Sequence, residues 1–202
     1  MASEPMRDPT TDHLLTPHNS ALLIIDYQPL QVSSVASMDR RELVLNIMAV
    51  TRLAKLFRLP IVLSTVNVKA KGSEPTIHQL RDLLPDTPEI DRTSINAWED
   101  QEFMKAVKAA GPKKLIMTAL WTEACLTFPA LDALKDGYDV YMVADAVGGT
   151  SAKAHEAALH RIEQAGAKPI SWVQLACELQ RDWKRADTAA AFSDILFEVE
   201  GR

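Results

Sequence analysis

The chain has 202 residues, of which 47% are hydrophobic and 24% charged, and its net charge is −5. This composition is typical of a folded globular protein, and the length suits one domain better than two. The positive residues are scattered, which argues against a nucleic-acid partner and against binding to an anionic membrane. No apolar run is long enough to cross a membrane, and the N-terminus lacks the apolar stretch of a signal peptide. We therefore expect a cytoplasmic protein.

Apolar segments that suit buried strands alternate along the chain with amphipathic segments that suit helices. Residues 1–19 are polar and punctuated by proline, and we interpret them as an arm outside the core. The predicted strands cover residues 21–25, 61–66, 89–91, 115–120, 140–144 and 169–172. The predicted helices cover residues 39–58, 76–84, 100–110, 123–136, 151–165 and 173–184. One domain over residues 20–185 follows from this pattern.

The alternation predicts an α/β fold with a parallel sheet and helices on both faces, because helical crossovers join neighbouring parallel strands. Ligands bind such sheets beyond the carboxyl ends of the strands, where the direction of winding reverses. If the strands take the common order 3-2-1-4-5-6, which we assume here, this switch point lies between the first strand and the fourth. Asp26 ends the first strand and Cys125 follows the fourth. We expect these two side chains to meet there.

Two cysteines occur, Cys125 and Cys177, and their spacing suggests neither a disulfide framework nor a structural zinc site. We interpret Thr122 as the N-cap of the helix after the fourth strand. Cys125 then lies in the first helical turn, where free backbone N–H groups lower the pKa of a thiol. Pro129 lacks the N–H that would bond the carbonyl of Cys125, so this helix should begin irregularly. Cys125 is therefore the candidate nucleophile, with a buried core cysteine as the alternative; Cys177 is interpreted as a core residue.

Charged side chains that could assist a thiol occur at two positions. Asp26 can act as a general base if burial keeps its pKa in a working range. Arg92, on a predicted loop, can help to hold the thiolate and the developing charge, or can form only a surface salt bridge. His155 and His160 are five positions apart, so their imidazoles would point about 140° apart on a helix and could not share a metal ion. No glycine-rich nucleotide motif occurs, and we expect no metal and no cofactor.

Taken together, these residues resemble the isochorismatase-like cysteine hydrolases, and within that superfamily the YcaC-like branch. The resemblance covers about residues 18 to 185. It rests on the strand that ends in Asp26 and on the segments around residues 92–98, 121–131, 145–151 and 177–183. It implies a three-layer α/β/α fold with a six-stranded parallel sheet.

The resemblance also implies a chemistry, in which small amides or related bonds are cleaved through a covalent thioester-type intermediate. Asp26 would be the base and Cys125 the nucleophile, with Arg92 in the place where the superfamily usually has lysine. A cis peptide bond is implied between Leu120 and Trp121, and an oxyanion hole at the backbone amides of Trp121 and Cys125.

The substrate pocket has three aromatic candidates, Trp98, Trp121 and Phe128, although each suits the core or an interface equally well.

The substrate and the reaction remain open. The nicotinamidases of the same superfamily have zinc-binding Asp and His residues that find no counterpart after Asp26 in this chain, so nicotinamide is not the preferred substrate. Arginine stays protonated and cannot shuttle a proton as lysine can. Three functions therefore remain open: hydrolysis of a small carbonyl compound such as an amide, a thiol that senses oxidants or electrophiles, and a binding or assembly protein with weak activity.

The C-terminal tail is more apolar than an extension exposed to water should be. After Trp183 it carries apolar residues at positions 192, 195, 196, 197 and 199. We expect residues 186–202 to pack on a neighbouring subunit, which makes the chain a homo-oligomer. The resemblance implies a ring-based assembly, with an octamer as the specific candidate.

Overall fold

The structure, a computed structural model, describes residues 7–200, with side chains up to residue 198. Six parallel strands form one sheet in the order β3-β2-β1-β4-β5-β6. The strands are β1 Ser20–Ile25, β2 Ile61–Val66, β3 Glu89–Arg92, β4 Lys114–Ala119, β5 Asp139–Val143 and β6 Lys168–Ile170. The predicted α/β fold, with its six-stranded parallel sheet flanked by helices, is confirmed, as is the strand order.

Helices connect the strands and cover both faces of the sheet. They are α1 Pro29–Ser34, α2 Arg40–Leu56, α3 Val68–Lys71, α4 His78–Leu83, α5 Gln101–Ala110, α6 Thr127–Lys135, α7 Ala152–Gln164, α8 Trp172–Gln180 and α9 Ala189–Glu200. The sequence pattern indicated six of these and missed α1, α3 and α9; α1 and α3 are too short to show a helical period. None of the helices within residues 7–200 has the length and apolarity of a membrane span.

Polar side chains mark where four of the longer helices begin. Asp39, Asp100, Ser151 and Ser171 each accept a hydrogen bond from the backbone N–H three residues later. Each cap satisfies one of the N–H groups that a helix start leaves free, and stabilises the fold by about 1 kcal/mol.

The core consists of two apolar layers, one on each side of the sheet. Every residue of β1 is buried, and alternate residues serve opposite layers. Leu22 and Ile24 join the layer formed with α2, α8 and α9, whereas Leu23 and Ile25 join the layer formed with α5, α6 and α7. The central strand is therefore covered on both faces, and only the ends of the strands are open to ligands.

The N-terminal segment corrects an expectation, because residues 7–19 do not form an arm outside the core. Leu15 is fully buried and belongs to the layer that contains α8. Its N–H donates to Glu178 at 2.7 Å, and its carbonyl accepts from Arg181 Nη2 at 3.2 Å. Because both backbone groups are satisfied, burying this leucine leaves no polar group unpaired. Residues 1–6 lie outside the described part of the chain.

The C-terminal extension also departs from its predicted role. Three of its apolar side chains are buried against the chain's own helices α2 and α8: Phe192, Ile195 and Leu196. The expectation that residues 186–202 pack on a neighbouring subunit is therefore wrong for these three, because the domain itself offers them an apolar surface. Phe197 remains 61% exposed, and the side chain at position 199 lies outside the described residues.

Candidate active site

The residue after β1 places a carboxylate at the switch point of the sheet. Asp26 is fully buried, and its φ of 62° lies in the left-handed region that residues other than glycine rarely adopt. Its N–H donates to the carbonyl of Ser64 in β2 at 2.9 Å, and its carbonyl accepts from Gln28 at 2.8 Å. These bonds turn the chain away from the sheet directly after the strand.

A guanidinium pairs with this carboxylate. Arg92 is the last residue of β3 rather than part of a loop, and its Nη2 donates to Asp26 Oδ2 at 2.7 Å. Both side chains are completely buried, so a surface salt bridge is excluded. Within the described residues, Asp26 Oδ1 and Arg92 Nε and Nη1 have no hydrogen-bond partner. Buried polar atoms without partners indicate where a ligand or water can bind.

The candidate nucleophile lies in an unusual helical turn. Cys125 belongs to a single π-helical turn, Thr122–Leu126, which continues directly into α6. Such turns are rare and are found frequently at functional sites. The irregular helix start predicted from Pro129 is confirmed. Cys125 as a residue is 8% exposed, so it is largely shielded from solvent.

Thr122 does not act as the predicted N-cap. The cap position is Trp121, and the Thr122 hydroxyl lies 2.8 Å from Nδ1 of His155 on α7. The π-helical turn moves the start of the helix by one residue, so the threonine side chain faces the neighbouring helix. His155 was not among the candidate residues, because no sequence spacing shows that α7 packs against this turn.

The electrostatics of Cys125 are opposite to those expected from its position near a helix start. Its pKa is raised to about 12, first by burial and then by the negative charge of Asp26; Arg92 and the N–H of Trp121 favour the thiolate but do not outweigh these effects. Burial also raises the pKa of Asp26, against the opposing effect of Arg92. The resting site therefore holds a neutral thiol beside a buried ion pair. Such a thiol must lose its proton to a base as it attacks.

Trp121 lies beside Cys125, the candidate nucleophile. Its backbone N–H interacts with the sulfur of Cys125, and the peptide bond between Leu120 and Trp121 is cis. Its indole N–H donates to Ser34 of α1 at 2.8 Å, and the ring is half-buried. Trp121 thus links the nucleophile turn to the short helix that follows Asp26.

The other two aromatic candidates differ from each other. Trp98 packs edge-on against Phe103 and Tyr138, and its indole N–H donates to Asp136 at 2.9 Å. These contacts account for the burial of Trp98, and its place beside the substrate stays a prediction. Phe128 is 37% exposed. It borders a surface cavity of about 270 Å³ together with Asn96, Glu99, Leu131 and Asp132.

The second cysteine is exposed, contrary to its interpretation as a core residue. The buried face of α8 carries Trp172, Leu175, Ala176, Leu179 and Gln180, and Cys177 falls on the opposite face. Within residues 7–200, no three His, Cys, Asp or Glu side chains come together as a metal site would require.

Known proteins resemble this chain over most of its length. A model of the isochorismatase domain matches residues 20–174. Over 171 residues the chain is 40% identical to the Escherichia coli (strain K12) protein named "Probable hydrolase YcaC", covering 84% of this chain and 82% of that protein. The chain belongs to the isochorismatase family, in its YcaC-like branch.

Solved structures of YcaC proteins share the whole fold with this isochorismatase-family hydrolase. YcaC from Pseudomonas aeruginosa, with hexane-2,5-diol and covalent acrylamide, is 33% identical with a TM-score of 0.83, covering 95% of this chain and 99% of that one. YcaC from Escherichia coli, described as an octameric hydrolase of unknown specificity, is 32% identical with a TM-score of 0.83, covering 98% and 99%. The family resemblance inferred from the sequence is therefore confirmed.

Proposed function

We propose that the protein hydrolyses a small carbonyl compound, such as an amide, through a covalent intermediate on Cys125. One observation carries the proposal: the thiol of Cys125 lies against a buried carboxylate that is held by a buried guanidinium. A structural cysteine needs neither partner. Burying an ion pair is also costly, since the desolvation penalty can exceed the attraction between the charges. Its presence beside Cys125 therefore favours a functional role.

The proposed reaction has two halves. The sulfur of Cys125 attacks the carbonyl carbon while the Asp26 carboxylate takes the thiol proton. The oxyanion that forms is placed against the backbone amides of Trp121 and Cys125. The carbon–nitrogen bond then breaks, the amine leaves with the proton from Asp26, and a thioester remains. Water attacks the thioester with Asp26 again as the base, which releases the acid and restores the thiol.

In this scheme Arg92 has a holding role. Its Nη2 keeps the Asp26 carboxylate in one orientation, and a guanidinium does not shuttle a proton as a lysine amine can. Its unpaired Nε and Nη1 can donate to an oxygen of the substrate. Trp121 and Phe128 are proposed to border the substrate.

The YcaC relative from Pseudomonas aeruginosa supports a reactive nucleophile on this fold, because that protein carries covalent acrylamide, an electrophile. A sensor of oxidants is less favoured, since redox-sensing cysteines have a low pKa and are accessible, whereas Cys125 has a raised pKa and is buried. A weakly active binding protein stays as the alternative outcome of the experiment.

The test is incubation of the full chain with a panel of small amides. We expect release of ammonia or amine by the wild type and by Cys177→Ala, but none by Cys125→Ala, together with an acyl mass on the Cys125 peptide. Cys177→Ala is the matched control because it removes the exposed thiol. Full activity in Cys125→Ala, or no acyl mass with any active amide, contradicts the proposal.

We also propose that the chain works as a homo-oligomer in the cytoplasm and that an octamer is its assembled form. Support comes from the Escherichia coli YcaC structure, which is described as octameric and is covered by this chain over 99% of its length.

A further inference from the structure

The π-helical turn that carries Cys125 is held from outside at its first residue. Thr122 is fully buried, and each of its polar groups has a partner. Its N–H donates to the carbonyl of Gly148 at 2.9 Å, and its carbonyl accepts from the hydroxyl of Thr127 at 2.6 Å. Its own hydroxyl lies 2.8 Å from Nδ1 of His155. His155 is therefore the side chain through which α7 holds this turn.

The next residue of the turn binds the segment that leads into α7. Glu123 Oε1 accepts from the N–H of Thr150 at 2.9 Å and from its hydroxyl at 2.6 Å. The neighbouring Gly149 leaves no room for a side chain, because a Cβ there would lie 2.6 Å from Glu123 Oε2 and 3.0 Å from the Cβ of His155. The turn and the start of α7 are thus fitted closely to each other.

We infer that His155 is a positioning residue for Cys125, acting through Thr122 to keep the thiol facing Asp26. A π-helical turn holds one residue more than an α-helical turn and is uncommon as an isolated structure, so its shape depends on outside contacts. Cys125 lies three residues after Thr122 in that turn, and a shift of the threonine moves the thiol with it. This inference rests on the proposed role of Cys125 as nucleophile.

The contact through Nδ1 sets a specific requirement on the side chain at position 155. A threonine hydroxyl both donates and accepts, so it can bond Nδ1 whether or not that nitrogen carries a proton. An asparagine amide occupies nearly the same place as Nδ1, whereas a glutamine amide reaches the place of Nε2. His155→Asn should therefore keep the contact that His155→Ala and His155→Gln remove.

The experiment measures the alkylation rate of Cys125 by iodoacetamide against pH, in the full chain, by peptide mass spectrometry. A thiol beside the Asp26 carboxylate should lose its proton at a higher pH than an ordinary cysteine does. We expect His155→Ala to lower the inflection by about one pH unit or more and to raise the rate at pH 8 severalfold, because the thiol leaves the carboxylate. His155→Gln should behave like His155→Ala, and His155→Asn like the wild type.

Two controls accompany this series. His160→Ala removes an exposed histidine of the same helix, whose ring bonds Gln164, and should leave the profile unchanged. The exposed Cys177 is an internal reference for the reagent in every sample, and circular dichroism shows whether each variant is folded. Thr122→Val should shift the profile as His155→Ala does, and the double variant should shift it no further, since both remove one contact.

The outcomes separate this inference from the proposed function. An unchanged Cys125 profile in folded His155→Ala overturns the positioning role, as does a shift in His155→Asn equal to that in His155→Ala. If wild-type Cys125 itself titrates with Cys177, the thiol does not face Asp26, and the proposed catalytic site is wrong irrespective of His155.

Discussion

At the scale of single residues, burial is the largest influence on the pKa of Cys125, the candidate nucleophile. A helix start favours a thiolate, but Cys125 shares its pocket with the carboxylate of Asp26, and burial penalises both charges. The pKa values of both groups rise for that reason. These shifts agree with the proposed general-base activation of a thiol rather than with a stored thiolate, and in that proposal Arg92 keeps the Asp26 carboxylate in place.

Replacing Asp26 separates its two effects on Cys125. Asp26→Asn removes the base, so we expect amide hydrolysis to fall by at least about 100-fold. It also removes a negative charge that raises the pKa of the thiol, so the thiolate fraction at pH 8 should increase and iodoacetamide should react faster. Amine release and Cys125 alkylation measure the two effects. A slower alkylation in a variant that circular dichroism shows to be folded would contradict the assigned contact.

At the scale of elements, segments that look peripheral in the sequence complete the core. The segment before β1 supplies Leu15, and α9 covers the outer surface of α2 and α8. Both add apolar contacts to the layer that lies under Asp26 and the first strand. The domain is therefore larger than the region of clear strand and helix periodicity.

Leu15→Ala tests whether the N-terminal segment is part of the folding unit. Removing a fully buried leucine should lower the free energy of unfolding by about 2 to 5 kcal/mol. Leu30→Ala is the matched control, because Leu30 is 66% exposed and surface changes stay within about 0.5 kcal/mol. Urea unfolding followed by fluorescence measures both variants. Equal stability of Leu15→Ala and the wild type would show that the segment folds separately from the core.

At the scale of the whole molecule, large apolar side chains remain on the surface of the single chain. Trp183 is 63% exposed and Phe197 61%, and the ring of Trp183 packs edge-on against the buried Phe192 at 5.2 Å. Exposed aromatic residues that are close to a buried cluster are typical of protein–protein interfaces. We expect a second copy of the chain to bind at the surface that Trp183 and Phe197 form.

Phe197→Asp should weaken the proposed assembly, because a charge at the centre of an apolar contact must lose its hydration. Sedimentation velocity should show the wild type as a particle several times heavier than the 22.4 kDa chain and the variant shifted toward smaller species. Phe197→Leu keeps an apolar side chain and should sediment as the wild type does. A monomeric wild type contradicts the proposed assembly, and an unshifted Phe197→Asp contradicts this location for the interface.

The sequence by itself determined the α/β fold, because local apolar periodicity shows alternating strands and helices. The meeting of Asp26 with Cys125 followed from it only with the common strand order assumed, and the tertiary structure supplied that order. Other features were decided only by the tertiary structure: the buried position of Leu15, the exposed face of Cys177 and the contact of His155 with Thr122. The direction of the pKa shift at Cys125 belongs with them. Each of these features depends on groups that are distant in the chain and on how completely water is excluded between them. A local pattern of residues contains no information on either.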